Sequence, residues 1–426
     1  MEATQPDSHA EVLEKRSFLS RFASEFYFIR GNFLLLIISW LFMDFASEMP
    51  ATYYGLYVEA LGGSAATVGL IGFAAMMAQA LVQFPGGYLA DKYGRRWLIS
   101  TMTFGVALSY GFYALAANWQ IIMVGAIIMN ICLIYRPALN AIIMDSLPPD
   151  RRGMGFSIIN LITSVSTTPA PLIAGWLLTQ YDLVPSMRMG YGIVVAAYLV
   201  ASFLRLRLKE TVKDPEHIDL RQLLGTYPQS VVESIRVWKE VPRSAFVLFV
   251  TGLIMNFSLS LFMPVLVFWI VEDLGISEVS WSFILTVLFV SMIVLAIPCG
   301  KLIDRIGKKK PLVLAYLLFL VVIPLFIFGD FYRLLLAMPM VGLLQILFHA
   351  ATSSLNADLV PQSNRGKVVG SSGFFVLIAA SLGQLAGGFM YDNVSHSLPF
   401  SLQFIFLVPA LIVTVIFIKE PKKKEE

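Results

Sequence analysis

Charge is what this sequence has least of. Only 14% of its 426 residues are Asp, Glu, Lys or Arg, and 57% are hydrophobic. A soluble globular chain carries about 25% charged residues, so composition excludes an ordinary soluble domain and points to an integral membrane protein. Cysteine is almost absent. Cys132 and Cys299 each lie inside an apolar run, which excludes a disulfide framework or a cysteine zinc site and reads as two buried thiols. The four histidines (His9, His217, His349, His396) are too scattered to suggest a metal site. There is no phosphate-binding glycine loop ending in Gly-Lys-Ser/Thr, no H-E-x-x-H and no nucleophile elbow. No enzyme activity, cofactor or metal is therefore expected. A net charge of +3 gives no reason to expect nucleic acid as a partner. Residues 1–31 are polar, lack a signal-peptide pattern and contain an amphipathic stretch at 11–28, read as an interfacial lead-in.

Long apolar runs are what the sequence has in abundance. A hydrocarbon core of ~30 Å needs ~20 apolar residues per helix. Runs of that kind fall at about 32–58, 66–88, 97–117, 119–144, 153–178 and 187–206, then at about 245–270, 279–300, 311–329, 332–357, 367–390 and 398–418. The expected fold is therefore all-α, with twelve transmembrane helices and both termini on one side. Lysine and arginine choose the side. With the termini in the cytoplasm, all but three of the 31 lysines and arginines fall in cytoplasmic segments. The exceptions are Arg188 and Arg333 outside and Arg136 within the fourth helix. A multi-pass protein of the cell membrane, surrounded by lipid, follows. The one long break, 207–243, carries apolar residues at helical spacing and reads as a linker lying on the inner membrane face.

The chain also repeats itself, at an offset of half its 426 residues. Gly87-Tyr88-Leu89-Ala90-Asp91-Lys92-Tyr93-Gly94-Arg95-Arg96 returns as Gly300-Lys301-Leu302-Ile303-Asp304-Arg305-Ile306-Gly307-Lys308-Lys309. Asp145 returns as Asp358, and Val58-Glu59 as Val271-Glu272. Internal repeats are a common building plan of transporters. The domains expected are a cytoplasmic tail at 1–31, six-helix bundles at 32–206 and 244–418, the 207–243 linker between them, and a tail at 419–426.

The loop between the second and third helices has a clear physical reading. Gly87 lets two helices approach closely, Gly94 permits a tight turn, and Asp91 supplies an anion suited to a helix N-terminus. Arg95 and Arg96 offer charge-assisted hydrogen bonds, with Asp145 at the inner end of helix four a candidate partner. G-x-L-A-D-x-x-G-R-R at this place resembles the signature loop of the major facilitator superfamily, and Gly300, Asp304, Gly307, Lys308 and Asp358 sit where that family keeps a second copy. The resemblance implies two pseudo-symmetric six-helix bundles. It also implies that Asp91, Arg95 and Asp145 latch an outward-open state. The stretch from Tyr135-Arg136-Pro137 to Arg152 is similar to the multidrug and small-solute efflux groups. Their helix-five Gly-Pro-x-x-Gly-Gly motif is matched by Ala170-Pro171-Leu172-Ile173-Ala174-Gly175, with two glycines replaced by alanine. Their early helix-four arginine is absent, since apolar residues and Asn130 stand there.

An ionisable residue near the bilayer centre costs at least ~2.5 kcal/mol and is a functional candidate by default. Four qualify: Asp44 and Glu48 in helix one, Arg136 in helix four and His349 in helix ten. All lie on helices that line the central cavity in the family resembled. Asp44 and Glu48 are one turn apart on one face. Two carboxylates this close resist double ionisation, as proton coupling requires. Arg136 is a candidate partner for Asp44, either in coupling or as a static ion pair. Asn256 and Gln345 are candidate hydrogen-bonding groups in the cavity. Pro50 removes a helix hydrogen bond and is expected to bend helix one.

These features point to a secondary transporter that moves a small organic solute by alternating access and works as a monomer, with proton-coupled efflux as the leading reading. Proton-coupled uptake of a sugar or organic anion uses the same charges and stays open. A membrane-embedded enzyme or sensor lacks both a catalytic motif and an appended domain.

Overall fold

The computed structural model describes residues 27–92, 94–148, 151–212 and 220–420. The expected interfacial segment at 11–28 and the tail at 419–426 lie largely outside them. Among the described residues there is no strand, and 11 helices are long and apolar enough to cross a membrane. In chain order the long helices are α1 (Gly31–Ala51), α2 (Ala65–Lys92), α3 (Arg95–Ala114), α4 (Trp119–Ser146), α5 (Arg152–Thr167 and Ala170–Gln180) and α6 (Leu183–Arg205). The second set is α7 (Arg243–Asp273), α8 (Glu278–Ile306), α9 (Lys309–Ile327), α10 (Phe331–Leu359), α11 (Arg365–Asn393) and α12 (Leu398–Phe417). Only α3 is missing from the 11. It opens on two arginines and carries hydroxyls, several of which it satisfies locally. Thr103 bonds back to the Ile99 carbonyl at 2.6 Å and Ser109 to Val106 at 2.7 Å. Each expected span overlaps one of these twelve helices.

Proline sets where the spans break. α1 contains Pro50 and stops at Ala51, then resumes after Thr52 and Tyr53 as the short helix Tyr54–Ala60. The ring blocks one backbone bond and leaves carbonyls to be met otherwise. α7 changes winding at the repeat-equivalent place, with a tight turn at Met263–Val265 around Pro264 and a wide turn at Trp269–Asp273. α4 is interrupted by a tight turn at Leu133–Tyr135 ahead of Pro137, and α5 at Thr168–Pro169.

The helices pack as two sets. α1, α3, α4, α5 and α6 pack among themselves and with α2, while α7 packs on α11 and α12 and α10 on α8 and α9. Two seams join the sets: α2 along α11, and α5 along α8. Small residues make the first seam possible. A β-carbon on Gly69 would lie 2.3 Å from the Gln384 carbonyl oxygen, and one on Gly388 would lie 2.5 Å from that of Ala65. Backbones therefore touch where side chains have no room. The helix Leu220–Arg236 bridges the seam at the basic end. Tyr227 meets Phe84 of α2 with ring centres 6.3 Å apart, while Ser371 of α11 donates to the Ser234 carbonyl at 2.6 Å.

Candidate functional site

A cavity of about 670 Å³ lies between the two sets of helices. Glu48, Thr52, Tyr54 and Val68 come to it from the first set. The remaining wall is almost all from the second, and it is aromatic and aliphatic, with Phe262, Trp281, Phe289, Phe319, Phe326 and Phe400 among its members. Polar groups are few: Gln345 and His349 of α10, Gln384 of α11 and Gln403 of α12 face it beside Glu48. Gln403 is already committed, donating to the carbonyls of Ser258 at 2.7 Å and Pro399 at 2.9 Å. A largely apolar chamber of this size with a few convergent polar groups has the make-up of a small-molecule site.

The chamber is closed at the end away from the basic loops by contacts that cross between the sets. The Tyr53 hydroxyl donates to the Glu278 carbonyl at 2.7 Å, and the Ala66 N–H to Asp392 at 2.8 Å. Gly55 lies so close to α7 that a β-carbon would meet Val267 at 2.7 Å and Phe268 at 3.0 Å.

Of the six side chains expected to face a central site, Glu48, Gln345 and His349 line the cavity. Asp44 does not. One turn deeper in α1, it accepts a hydrogen bond from Thr163 of α5 at 2.8 Å. Asn256 turns back to the Gly252 carbonyl of its own helix at 2.9 Å. Arg136 is exposed and makes no ion pair with Asp44, contrary to the pairing expected from sequence. The tight turn at Leu133–Tyr135 carries it off the line that helical spacing implies. Another cation, Arg205, ends α6, which packs along α1. It is completely buried, with Nε on Ser39 at 3.2 Å and Nη1 on Thr103 at 2.9 Å.

The basic loops are matched pairs. Arg95 forms an ion pair with Asp145, and Lys308 one with Asp358. Gly94 and Gly307 adopt φ of +95° and +86°, the left-handed region where glycine is favoured. Each loop also receives a glutamate that the repeat offset did not flag. Glu210, just beyond α6, accepts from the backbone N–H groups of Arg95 at 3.1 Å and Arg96 at 2.9 Å, the first turn of α3. Glu420, just beyond α12, does the same for Lys308 at 2.6 Å and for Lys309 at the start of α9. An anion at a helix N-terminus satisfies donors that have no partner within the helix. Burial works to raise the pKa of Glu210. Four backbone N–H groups (Val212, Thr211, Arg95 and Arg96) outweigh it and hold the carboxyl below its ordinary value. The side chains of Asp91 and Asp304 lie outside the described residues.

Comparison with known proteins places this arrangement. The sequence matches the profile of the Major Facilitator Superfamily over residues 34–268 and again over 248–426. The chain belongs to the major facilitator superfamily. It is thus a multi-pass membrane transporter of small solutes, built on the all-α, twelve-helix fold. Among its relatives is the multidrug resistance protein MdtG of Escherichia coli, 25% identical over 404 residues, covering 89% of this chain and 91% of MdtG. Among solved structures, the human organic anion transporter MFSD10 superposes with a TM-score of 0.65 at 17% identity, covering 90% of this chain and 98% of that one. The peptide transporter POT in complex with sulfate superposes at 0.69 with 14% identity, covering 97% of each chain. At such identity these two likenesses speak for the fold alone.

Proposed function

We propose that this superfamily transporter exports small amphipathic organic molecules in exchange for protons. In this reading the bundles 32–206 and 244–418 rock about a central site, the basic loops face the cytoplasm, and a single chain suffices. One observation carries it: an apolar, aromatic chamber of about 670 Å³ whose only carboxylate among the described residues, Glu48, stands one turn from the half-buried carboxylate Asp44. The chamber suits an apolar solute, and the carboxylate suits a positive charge or a proton. Binding one expels the other, which is the elementary requirement of exchange. A proton moving down 100 mV supplies ~2.3 kcal/mol, enough for tens-fold accumulation of a solute. The kinship with MdtG, a multidrug resistance protein, supports the same direction.

The test is a reconstitution in liposomes with an imposed pH gradient and a lipophilic cationic dye. Wild type is expected to accumulate dye in proportion to the gradient, Glu48→Gln to bind it weakly, and Asp44→Asn to lose gradient dependence. A wild type that ignores the gradient would sink the reading. His349 in the cavity wall favours a second reading, in which an organic anion enters with protons. Gradient-driven uptake of an anionic probe, lost in His349→Ala, would support that reading against export.

A further inference from the structure

The helix Leu220–Arg236 takes no part in the reading above, yet the structure ties it to both bundles at one level. Tyr227 meets Phe84 of α2, and Phe84 meets Phe374 of α11 with ring centres 5.0 Å apart. The Ser234 carbonyl accepts from Ser371 of α11, and Ser371 in turn accepts from the Trp238 indole N–H at 2.7 Å. Trp238 stacks on Phe249 of α7, with ring centres 3.8 Å apart. Phe84 lies eight residues before the end of α2 at Lys92, while Ser371 and Phe249 each lie six residues into helices that begin at Arg365 and Arg243. At 1.5 Å per residue these anchors stand about 9–12 Å inside the helix ends. The segment therefore lies alongside the bundles rather than beneath them.

The face turned away from these anchors is exposed. Val232 and Ile235, one turn apart, are 53% and 54% exposed, while Ser234 and Val237 are buried on the opposite side. Arg236, Lys239 and Arg243 are exposed beside the aliphatic pair. Arg243 lies over the Phe417 ring, 4.9 Å from its centre, whereas Arg236 and Lys239 form no ion pair among the described residues. The acids of this stretch are Glu233, on the flank of the helix, and Glu240, which accepts from Asn364 at 3.5 Å. An aliphatic pair fringed by unpaired cations is poorly matched to bulk water and to plain hydrocarbon alike. At this height on a membrane-spanning bundle it suits the boundary between acyl chains and headgroups, where apolar side chains sink and long cations reach the phosphates.

We propose that the face formed by Val232, Ile235, Arg236 and Lys239 is a docking surface for anionic phospholipids of the leaflet at the basic end. Charge complementarity selects the lipid class. A zwitterionic lipid covers the aliphatic pair equally well but gives the two cations no net counter-charge, whereas an anionic surface attracts each of them. The same helix is bonded to α11 and rests on α2, so lipid held there bears on the seam where the bundles meet. The inference does not depend on what the chamber carries or on whether protons drive it.

The test places a reporter on this face in the reconstituted protein. Cys132 and Cys299 are buried, so Val232→Cys can be labelled selectively with a polarity-sensitive nitrobenzoxadiazole dye and followed in phosphatidylcholine vesicles with or without phosphatidylglycerol. The dye is expected to emit to the blue of its emission in water. Spin-labelled phosphatidylglycerol is expected to quench it at about fivefold lower content than spin-labelled phosphatidylcholine, the share of one cation at an anionic surface. High salt, which needs no substitution, is expected to weaken that preference. Arg236→Gln combined with Lys239→Gln is expected to abolish it while leaving Tm in phosphatidylcholine vesicles as in the parent, and Arg236→Lys to keep it. Equal quenching by the two lipids, or a preference that survives both high salt and the double substitution, overturns the assignment to anionic lipid. A dye that emits as in water and is quenched by neither lipid overturns the surface itself.

Discussion

The two bundles agree at the basic end and diverge at the chamber between them. At the basic end each has a glycine at positive φ, a cation paired with an aspartate, and a glutamate capping the next helix. Inside the membrane the first bundle holds Asp44, Glu48 and Arg205, whereas the second supplies the phenylalanines and glutamines of the chamber. In the proposed function a duplicated frame is divided between charge handling and solute contact. The frame stays alike because both loops meet the same physical demand, that of closing a tight turn and satisfying a helix start.

That division can be tested by disturbing the two sides separately. The largest effect is expected from Asp44→Asn, which should cut gradient-driven accumulation about a hundredfold, equivalent to ~2.7 kcal/mol. Gln345→Ala on the opposite wall should raise the apparent Km only a few-fold. Flux assays on both variants, with the effects reversed, would break the comparison. Next comes Gly69→Val. Its side chain has nowhere to go against the Gln384 backbone, so it should hold the far end apart. A disulfide between cysteines placed at Gly55 and Val267 should form readily in the parent and about tenfold less in this variant, as read on gels. The smallest effects are expected at the caps. Glu210→Ala and Glu420→Ala should each cost ~1 kcal/mol, as lost caps do, and lower Tm by similar amounts in thermal unfolding. Unequal losses would show that one bundle's frame matters more.

The Glu210 cap also predicts a pH dependence. Its carboxyl is held below the ordinary value of 4.5. Its stabilisation is therefore full above that value and lost as pH falls through the lower, folded one. Wild type and Glu210→Ala should converge in Tm on acidification and differ at neutral pH.

Much of this architecture was legible in the sequence. The spans followed from apolar length, and Pro50 announced the break in α1. The site was only partly legible. Glu48, Gln345 and His349 were found because polar residues in apolar runs are conspicuous. Arg136 was mispaired because helical spacing cannot register the tight turn just before it. Arg205 was overlooked because it ends its helix, where a cation reads as an orientation signal. Yet Val194, Tyr198, Ala201 and Arg205 share one helical face, and that face is packed inward. Glu210 and Glu420 escaped because they are spaced three residues short of the repeat offset, although each follows a lysine just past the sixth helix of its half.

The break in α1 has a kinetic consequence. The piece beyond it, Tyr54–Ala60, has 7 residues, about 10 Å at 1.5 Å per residue. It covers the chamber with Tyr54 and Gly55 and rests against Val267 and Phe268, beyond the equivalent irregularity in α7. The piece is tied to its own bundle: the Tyr57 hydroxyl donates to the Tyr113 carbonyl of α3 at 2.8 Å, and Tyr53, Tyr57 and Val58 are buried. In the proposed rocking cycle the tip therefore travels with its bundle, so escape of a trapped solute past it and turnover share one barrier. Stiffening the joint should then leave the ratio of leak to flux unchanged.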